Sequence, residues 1–279
     1  MQAPLSTSLP ASGQRRRTLG SLLGAAALTL GLALGAAAPA AVQAAEIRVV
    51  TSGGFSAAYD QLVPLYEQAT GNKVTTARGA SIGNAPDSIP SRMVRGEQFD
   101  IVILADSALD KLIEQGKVQA GSRVDLARSM IGMSVRKGTP KPDISTVDAL
   151  RQTLLNAKSI AYSASASGTY LSTELFQRLG VAEQIKDKAK KIYSERVGAV
   201  VLRGDAEIGF QQVSELLPFK ELDFVGPLPD EVQQRVFFSA GVATGSPEPE
   251  AARHLIRFLA APAAAAIVRS TGMEPAAAR

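Results

Sequence analysis

The run Phe99-Asp100-Ile101-Val102-Ile103-Leu104 is almost wholly apolar, and it is too short for a buried helix. It reads as a strand covered on both faces, which requires a parallel sheet with helices packed on either side. The flanking sequence supplies those helices. Glu46 to Thr51 reads as a strand, and Phe55 to Thr70 as an amphipathic helix stopped by Gly71. Lys73 to Ala77 is a second strand, and Ser88 to Arg95 a short helix. After the apolar strand, Asp106 is placed to cap a helix over Ala108 to Gln115, ended by Gly116. This βαβαβα order predicts an α/β protein.

The pattern shifts between Val124 and Pro142. Met130 to Val135 reads as a strand crossing into a second lobe, followed by a Lys-Gly-Thr-Pro-Lys-Pro loop. The second lobe is then read as a helix over 147–156, a strand over 159–162, a helix over 170–179 and a strand over 206–211. Val236 to Val242 crosses back, and Pro249 to Leu259 is a closing helix. The expected architecture is two lobes, each a mixed sheet flanked by helices. Residues 45–128 and 239–279 form the first lobe and 129–238 the second, with the strands near 130–135 and 236–242 as the hinge.

Residues 1–44 read as an export signal. Arg15, Arg16 and Arg17 form a basic head, Leu19 to Ala38 is nearly all Leu, Ala and Gly, and Val42-Gln43-Ala44 offers a cleavage site. An uncleaved membrane anchor is the alternative. Cleavage leaves about 234 residues, and the net charge falls from +4 to 27 basic against 26 acidic side chains. That balance gives no electrostatic case for nucleic acid or an anionic membrane surface as a partner. With no cysteine there is no disulfide and no lipid-bearing Cys to tether a mature chain. The expected destination is the periplasm, without a membrane anchor after cleavage. His254 is the only histidine, so neither a metal site nor a Ser-His-acid triad is expected. No cofactor motif is present, and none is expected.

Three strand-to-helix turns carry the candidate binding chemistry: Thr51-Ser52-Gly53-Gly54, then Gly79 to Asn84 around Ser81, then Ser163 to Thr169. Each sets small residues and a hydroxyl where free N–H groups converge at a helix N-terminus, an arrangement suited to an anion. Such turns lie at the carboxyl ends of strands, where open α/β sheets bind ligands. Arg78 and Arg196 are the candidate cations. Glu195 and Glu215 are the candidate carboxylate bases, with no catalytic residue assigned.

From Ile47 onward the chain resembles periplasmic solute-binding proteins of the type II fold, in particular the molybdate-binding family. The resemblance rests on the Ser-bearing first turn, Gly79-Ala80-Ser81-Ile82-Gly83, Gly96 to Ile103, Ser167-Gly168-Thr169-Tyr170 and Arg203 to Phe210. It implies a small anion held in the interlobe cleft by hinge closure, a monomer, and an inner-membrane importer permease as partner. The ligand shell it implies is the hydroxyls of Ser52 and Ser81, with amides of Ser167, Gly168, Thr169 and Val197. Gln212 stands where that family has a tyrosine. The Ser-Gly-Gly-Phe turn and Phe210-Gln211-Gln212 also resemble an aconitate-isomerase branch of the same scaffold. That branch would hold a tricarboxylate and move a proton between two allylic carbons. Ligand identity and turnover both stay open at this point.

Overall fold

In the computed structural model residues 44–276 are described; the signal peptide expected over 1–44 lies, apart from Ala44, outside them. The chain opens with β1 (Glu46–Thr51), α1 (Gly53–Thr70), β2 (Lys73–Arg78), α2 (Ile89–Val94), β3 (Ile101–Ala105) and α3 (Asp106–Glu114). Gly71 ends α1 in the left-handed conformation, its N–H donating to Glu67 O. Asp106 lies inside α3 rather than capping it: the N-cap is Ala105, and Asp106 Oδ1 instead accepts from the Ser107 N–H. Asp100 is fully buried just before β3, where it accepts from the Arg48 N–H at 2.7 Å and the Ser246 hydroxyl at 2.7 Å.

β4 (Val124–Ser129) and β5 (Ile131–Arg136) follow, separated only by Met130. The next segment is α4 (Val147–Asn156), β6 (Ile160–Ser163) and α5 (Ala166–Tyr170). A π turn over Leu171–Leu175 carries α5 into α6 (Phe176–Arg178), so the helix expected from Tyr170 begins four residues earlier. Then come α7 (Ala182–Ile185), β7 (Ala189–Ile192), α8 (Val197–Arg203), β8 (Ile208–Gln212), α9 (Val213–Leu216) and β9 (Leu222–Pro227). The chain ends through β10 (Val236–Val242), α10 (Pro249–Leu259), α11 (Ala265–Ser270) and β11 (Glu274–Pro275).

These strands form two mixed sheets. One has the order β11-β4-β10-β3-β1-β2, with β1 parallel to both β2 and β3 and β10 antiparallel to β3 and β4. The other has the order β7-β6-β8-β5-β9, with β6 parallel to β7 and β8 and β5 antiparallel to β8 and β9. The strands expected as hinges do not bridge the sheets. β5 lies wholly in the five-stranded sheet and β10 wholly in the six-stranded one, so the boundary expected at 238/239 would cut through a continuous strand. The chain passes between sheets at Met130 and over 228–235. Gln233 ties the two crossings, its Oε1 accepting from the Ile131 N–H at 2.8 Å and its Nε2 donating to Ile131 O at 2.9 Å.

Each sheet has its own apolar core. Phe55, Tyr59, Leu62 and Tyr66 of α1 pack with Leu255, Ile256 and Leu259 of α10 over the first sheet. Ile131, Met133, Phe210 and Leu171 anchor the second. Each such side chain contributes about 1.5–3 kcal/mol by leaving water. His254 is an exposed residue of α10 that packs its ring on Tyr66 and shares a hydrogen bond between Nδ1 and the Tyr66 hydroxyl at 3.3 Å.

Gly209 sets how closely α8 approaches β8, because a Cβ there would lie 2.5 Å from Val201 Cγ2 and 2.7 Å from Val197 Cγ1. Gly209→Ala should therefore lift α8 from the sheet and lower stability by about 1–3 kcal/mol, read as a lower urea midpoint with an unchanged slope.

Candidate functional site

The carboxyl ends of β1, β2, β6 and β8 face a cavity of about 200 Å³. The half built on the six-stranded sheet contributes Ser52, Gly53, Gly54, Arg78 and Ser81 to its wall; the other half contributes Ser167, Arg196 and Gln212. Eight of the eleven residues expected from the sequence thus meet. Gly168, Thr169 and Val197 do not line it. Gly168 is pressed on the backbone of the preceding strand, with a Cβ there falling 1.5 Å from Ser163 O. The Thr169 N–H is spent on Ser165 O at 2.9 Å, and the Val197 N–H on Gln211 Oε1 at 3.0 Å. These amides serve the fold and are already satisfied.

The first turn is the least satisfied. Ser52 is the N-cap of α1 and is 2% exposed, yet its Oγ has no partner among the described residues. The first turn of this 18-residue helix has no acidic residue of its own, so its positive end is not neutralised from within the helix. In the second turn Ser81 Oγ accepts from the Ala105 N–H at 3.0 Å, while the Ser81 N–H donates to Ser165 Oγ in the opposite half at 3.1 Å. The Ser81 hydroxyl proton remains available. In the third turn the Ser163 and Ser167 hydroxyls bond each other at 3.1 Å.

The two arginines differ. Arg78 donates to Ser56 Oγ at 2.7 Å and to Asp60 Oδ1 at 2.5 Å, so its charge is partly matched within the protein. Arg196 is half-buried at the head of α8 and takes part in none of the ion pairs or side-chain hydrogen bonds among the described residues. It is the better placed to meet a ligand carboxylate as a planar fork.

The two glutamates separate more sharply. Glu195 is exposed and gripped by Arg203 at 2.7 and 3.0 Å, and those hydrogen bonds hold its pKa down; it stays ionised. Glu215, in α9, is buried in the cavity wall. Burial pushes its carboxyl up to about 7, against the opposing pull of the Arg196 charge, the Gln211 side chain and the Gln212 backbone. Gln211 Nε2 donates to Glu215 Oε1 at 2.9 Å. Because the Val197 N–H claims Gln211 Oε1, the Gln211 amide can present only its NH₂ to the carboxyl. Beside it, both amide atoms of Gln212 are buried without a partner among the described residues. Each such group costs about 1–3 kcal/mol until something pairs with it. The sequence alone assigns Glu215 no role and does not mark Gln211 as a site residue. The available signal was their four-residue spacing across a strand-to-helix turn.

A family model described as a bacterial extracellular solute-binding protein matches residues 47–274. The chain belongs to that family. It is 46% identical over 250 residues to an aconitate isomerase from Pseudomonas sp, covering 89% of this chain and 95% of that protein. It is 27% identical over 248 residues to the molybdate-binding protein ModA of Azotobacter vinelandii, covering 86% and 95%. The solved periplasmic molybdate-binding protein from the same organism superposes with a TM-score of 0.67 at 21% identity, over 81% of this chain and 98% of that one. The two-lobed type II binding-protein fold is therefore the fold of this family member.

A carboxyl whose pKa rises from 4.5 to about 7 on folding binds its proton more tightly folded than unfolded. Its stabilising contribution is whole below the unfolded value and is lost as pH rises through about 7. Ligand-free Glu215→Gln should lose that pH dependence and exceed the wild type in stability at pH 8.5 by as much as about 3 kcal/mol, measured by urea unfolding at pH 5 and 8.5.

Proposed function

We propose that this solute-binding-family protein is an isomerase acting on an unsaturated tricarboxylate such as aconitate, shifting a proton between two allylic carbons. The observation that carries the reading is Glu215. A buried carboxyl titrating near neutrality in a cavity wall suits a group that must both take and return a proton. The 46% identity to an aconitate isomerase supports the same reading.

In the ionised form, Glu215 takes a proton from the methylene carbon flanked by a carboxylate and the double bond. The C–H bond breaks, an O–H bond forms, and the electron pair spreads over the three-carbon allyl unit and its carboxylates. Glu215 then returns a proton to the far carbon, the double bond having moved by one position, so nothing is consumed. The developing charge requires fixed donors. Arg196, the Ser52 hydroxyl, the Gln212 amide and the N-terminus of α1 are the groups that supply them. Residues 1–44 and the family both favour export, so the reaction would take place in the periplasm.

A second reading, a carrier that delivers an anion to an inner-membrane importer permease, is favoured by the family and by the unpartnered Ser52 and Gln212. Turnover separates the two. Incubation with trans-aconitate, followed by proton NMR, should give cis-aconitate, with kcat/KM falling as pH drops through about 7 because the base must be ionised. Glu215→Gln should retain binding in a thermal-shift assay and lose about 10²–10⁴-fold in kcat. A melting-temperature rise with molybdate or tungstate alone, and no conversion of aconitate, would reject the isomerase and leave the carrier.

A further inference from the structure

Glu215 is carried by the half built on the five-stranded sheet, but its seat belongs to the other half. A Cβ added to Gly53 would lie 2.0 Å from Glu215 Oε1 and 2.9 Å from its Cδ. The carboxyl therefore occupies the space that any side chain at position 53 would need. The adjoining contacts fix this approach. Ser214 Oγ donates to Gly54 O at 2.6 Å, and a Cβ on Gly54 would lie 1.9 Å from the Phe238 ring. Gly53 is not among the glycines with positive φ, and helix propensity alone would favour alanine in α1. Neither backbone conformation nor helix formation asks for glycine here; the space does.

We propose that Gly53 is a positioning residue for the acid–base group: its missing side chain lets the first turn of α1 close over the Glu215 carboxyl, holding it in the cavity wall and away from water. The consequence for turnover rests on the isomerase reading; the effect on the carboxyl's own proton does not. Among the described residues, the charged groups lining the cavity with Glu215 are Arg196, Arg78, Asp87 and Glu195. Arg196 faces it from the head of α8. Arg78 and Asp60 on the α1 side are paired with each other, and Glu195 is paired with Arg203. Gln211 and the Gln212 backbone hold the carboxyl from its own half. The α1 turn brings no charged side chain to the carboxyl, and its role is to exclude water.

The test is Gly53→Ala in the whole protein. The clash falls on the end of a flexible side chain, so the variant should fold with an unchanged or higher melting temperature. Glu215, followed by carbon NMR of labelled glutamate carboxyls and assigned with Glu215→Gln, should titrate well below its wild-type midpoint. With aconitate, kcat should fall about 10²-fold while KM stays within about threefold. Adding Gly53→Ala to Glu215→Gln should cost nothing further, since both act through one group. A wild-type titration midpoint in Gly53→Ala, or additive losses in the double variant, would overturn the proposal. A shifted midpoint in a protein that never converts aconitate would uphold the seat and reject the isomerase.

Discussion

A carboxyl buried between two sheets must give up its charge or be met by cations and donors, and most of what distinguishes this cavity answers to that constraint. Among the described residues, Glu215 has one side-chain donor, Gln211, whose own orientation is dictated by the Val197 N–H. The Arg196 charge pulls against burial without overcoming it. The outcome is a group near the midpoint of its titration at neutral pH, a condition that neither an exposed nor a fully ion-paired glutamate reaches. Glu195 shows the contrast: exposed and clamped by Arg203, it is fixed in its ionised form.

The sheets explain why these groups converge. Parallel pairing of β1 with β2 and β3, and of β6 with β7 and β8, sends strand ends in a common direction within each half. The loops there carry the cavity-lining residues. The halves touch where those loops meet: Ser81 on Ser165, Ser214 on Gly54, and Glu215 on Gly53. Cavity and interface are thus one surface, so that a group filling the cavity acts on the contact between halves. Among the described residues the chain crosses only at Met130 and over 228–235, and with Gln233 binding those crossings together, relative movement of the halves would be concentrated near one edge. That is the mechanical condition for hinge closure on a ligand.

Much of this was legible in the sequence. Periodicity located β1, α1, β2 and β3, because a strand buried on both faces and an amphipathic helix leave unambiguous patterns. It missed β4 and β7: Val124-Asp125-Leu126-Ala127-Arg128-Ser129 mixes charge into an antiparallel strand, and Ala189-Lys190-Lys191-Ile192 is too short and basic to register. The chain crosses between sheets outside the expected hinge strands for a related reason. Apolar runs mark strands but not sheet membership, and β5 and β10 look alike from sequence though they belong to different sheets. In the site, small-residue turns revealed Ser52, Ser81 and Ser167. They did not reveal which amides were already committed, since the partners of Val197 and Thr169 are fixed by tertiary contacts and by helix continuation. Glu215 was nameable but not assignable, because burial is a property of the folded surroundings and not of the residue.

The same surroundings bear on what the cavity selects. A tetrahedral oxyanion carries its charge on every face and would meet the Glu215 carboxyl as a like charge wherever it lay against it, unless that carboxyl held its proton. A polycarboxylate offers separated charges and an apolar carbon segment between them. On the isomerase reading its carboxylates would face Arg196, the Ser52 hydroxyl and the N-terminus of α1, leaving the carbon framework to lie against Glu215. Gln212, with a donor and an acceptor both unspent, can serve a carboxylate or a protonated carboxyl. On the isomerase reading, one proton-carrying group among several fixed donors would suit a ligand that is charged at its ends and acidic in its middle.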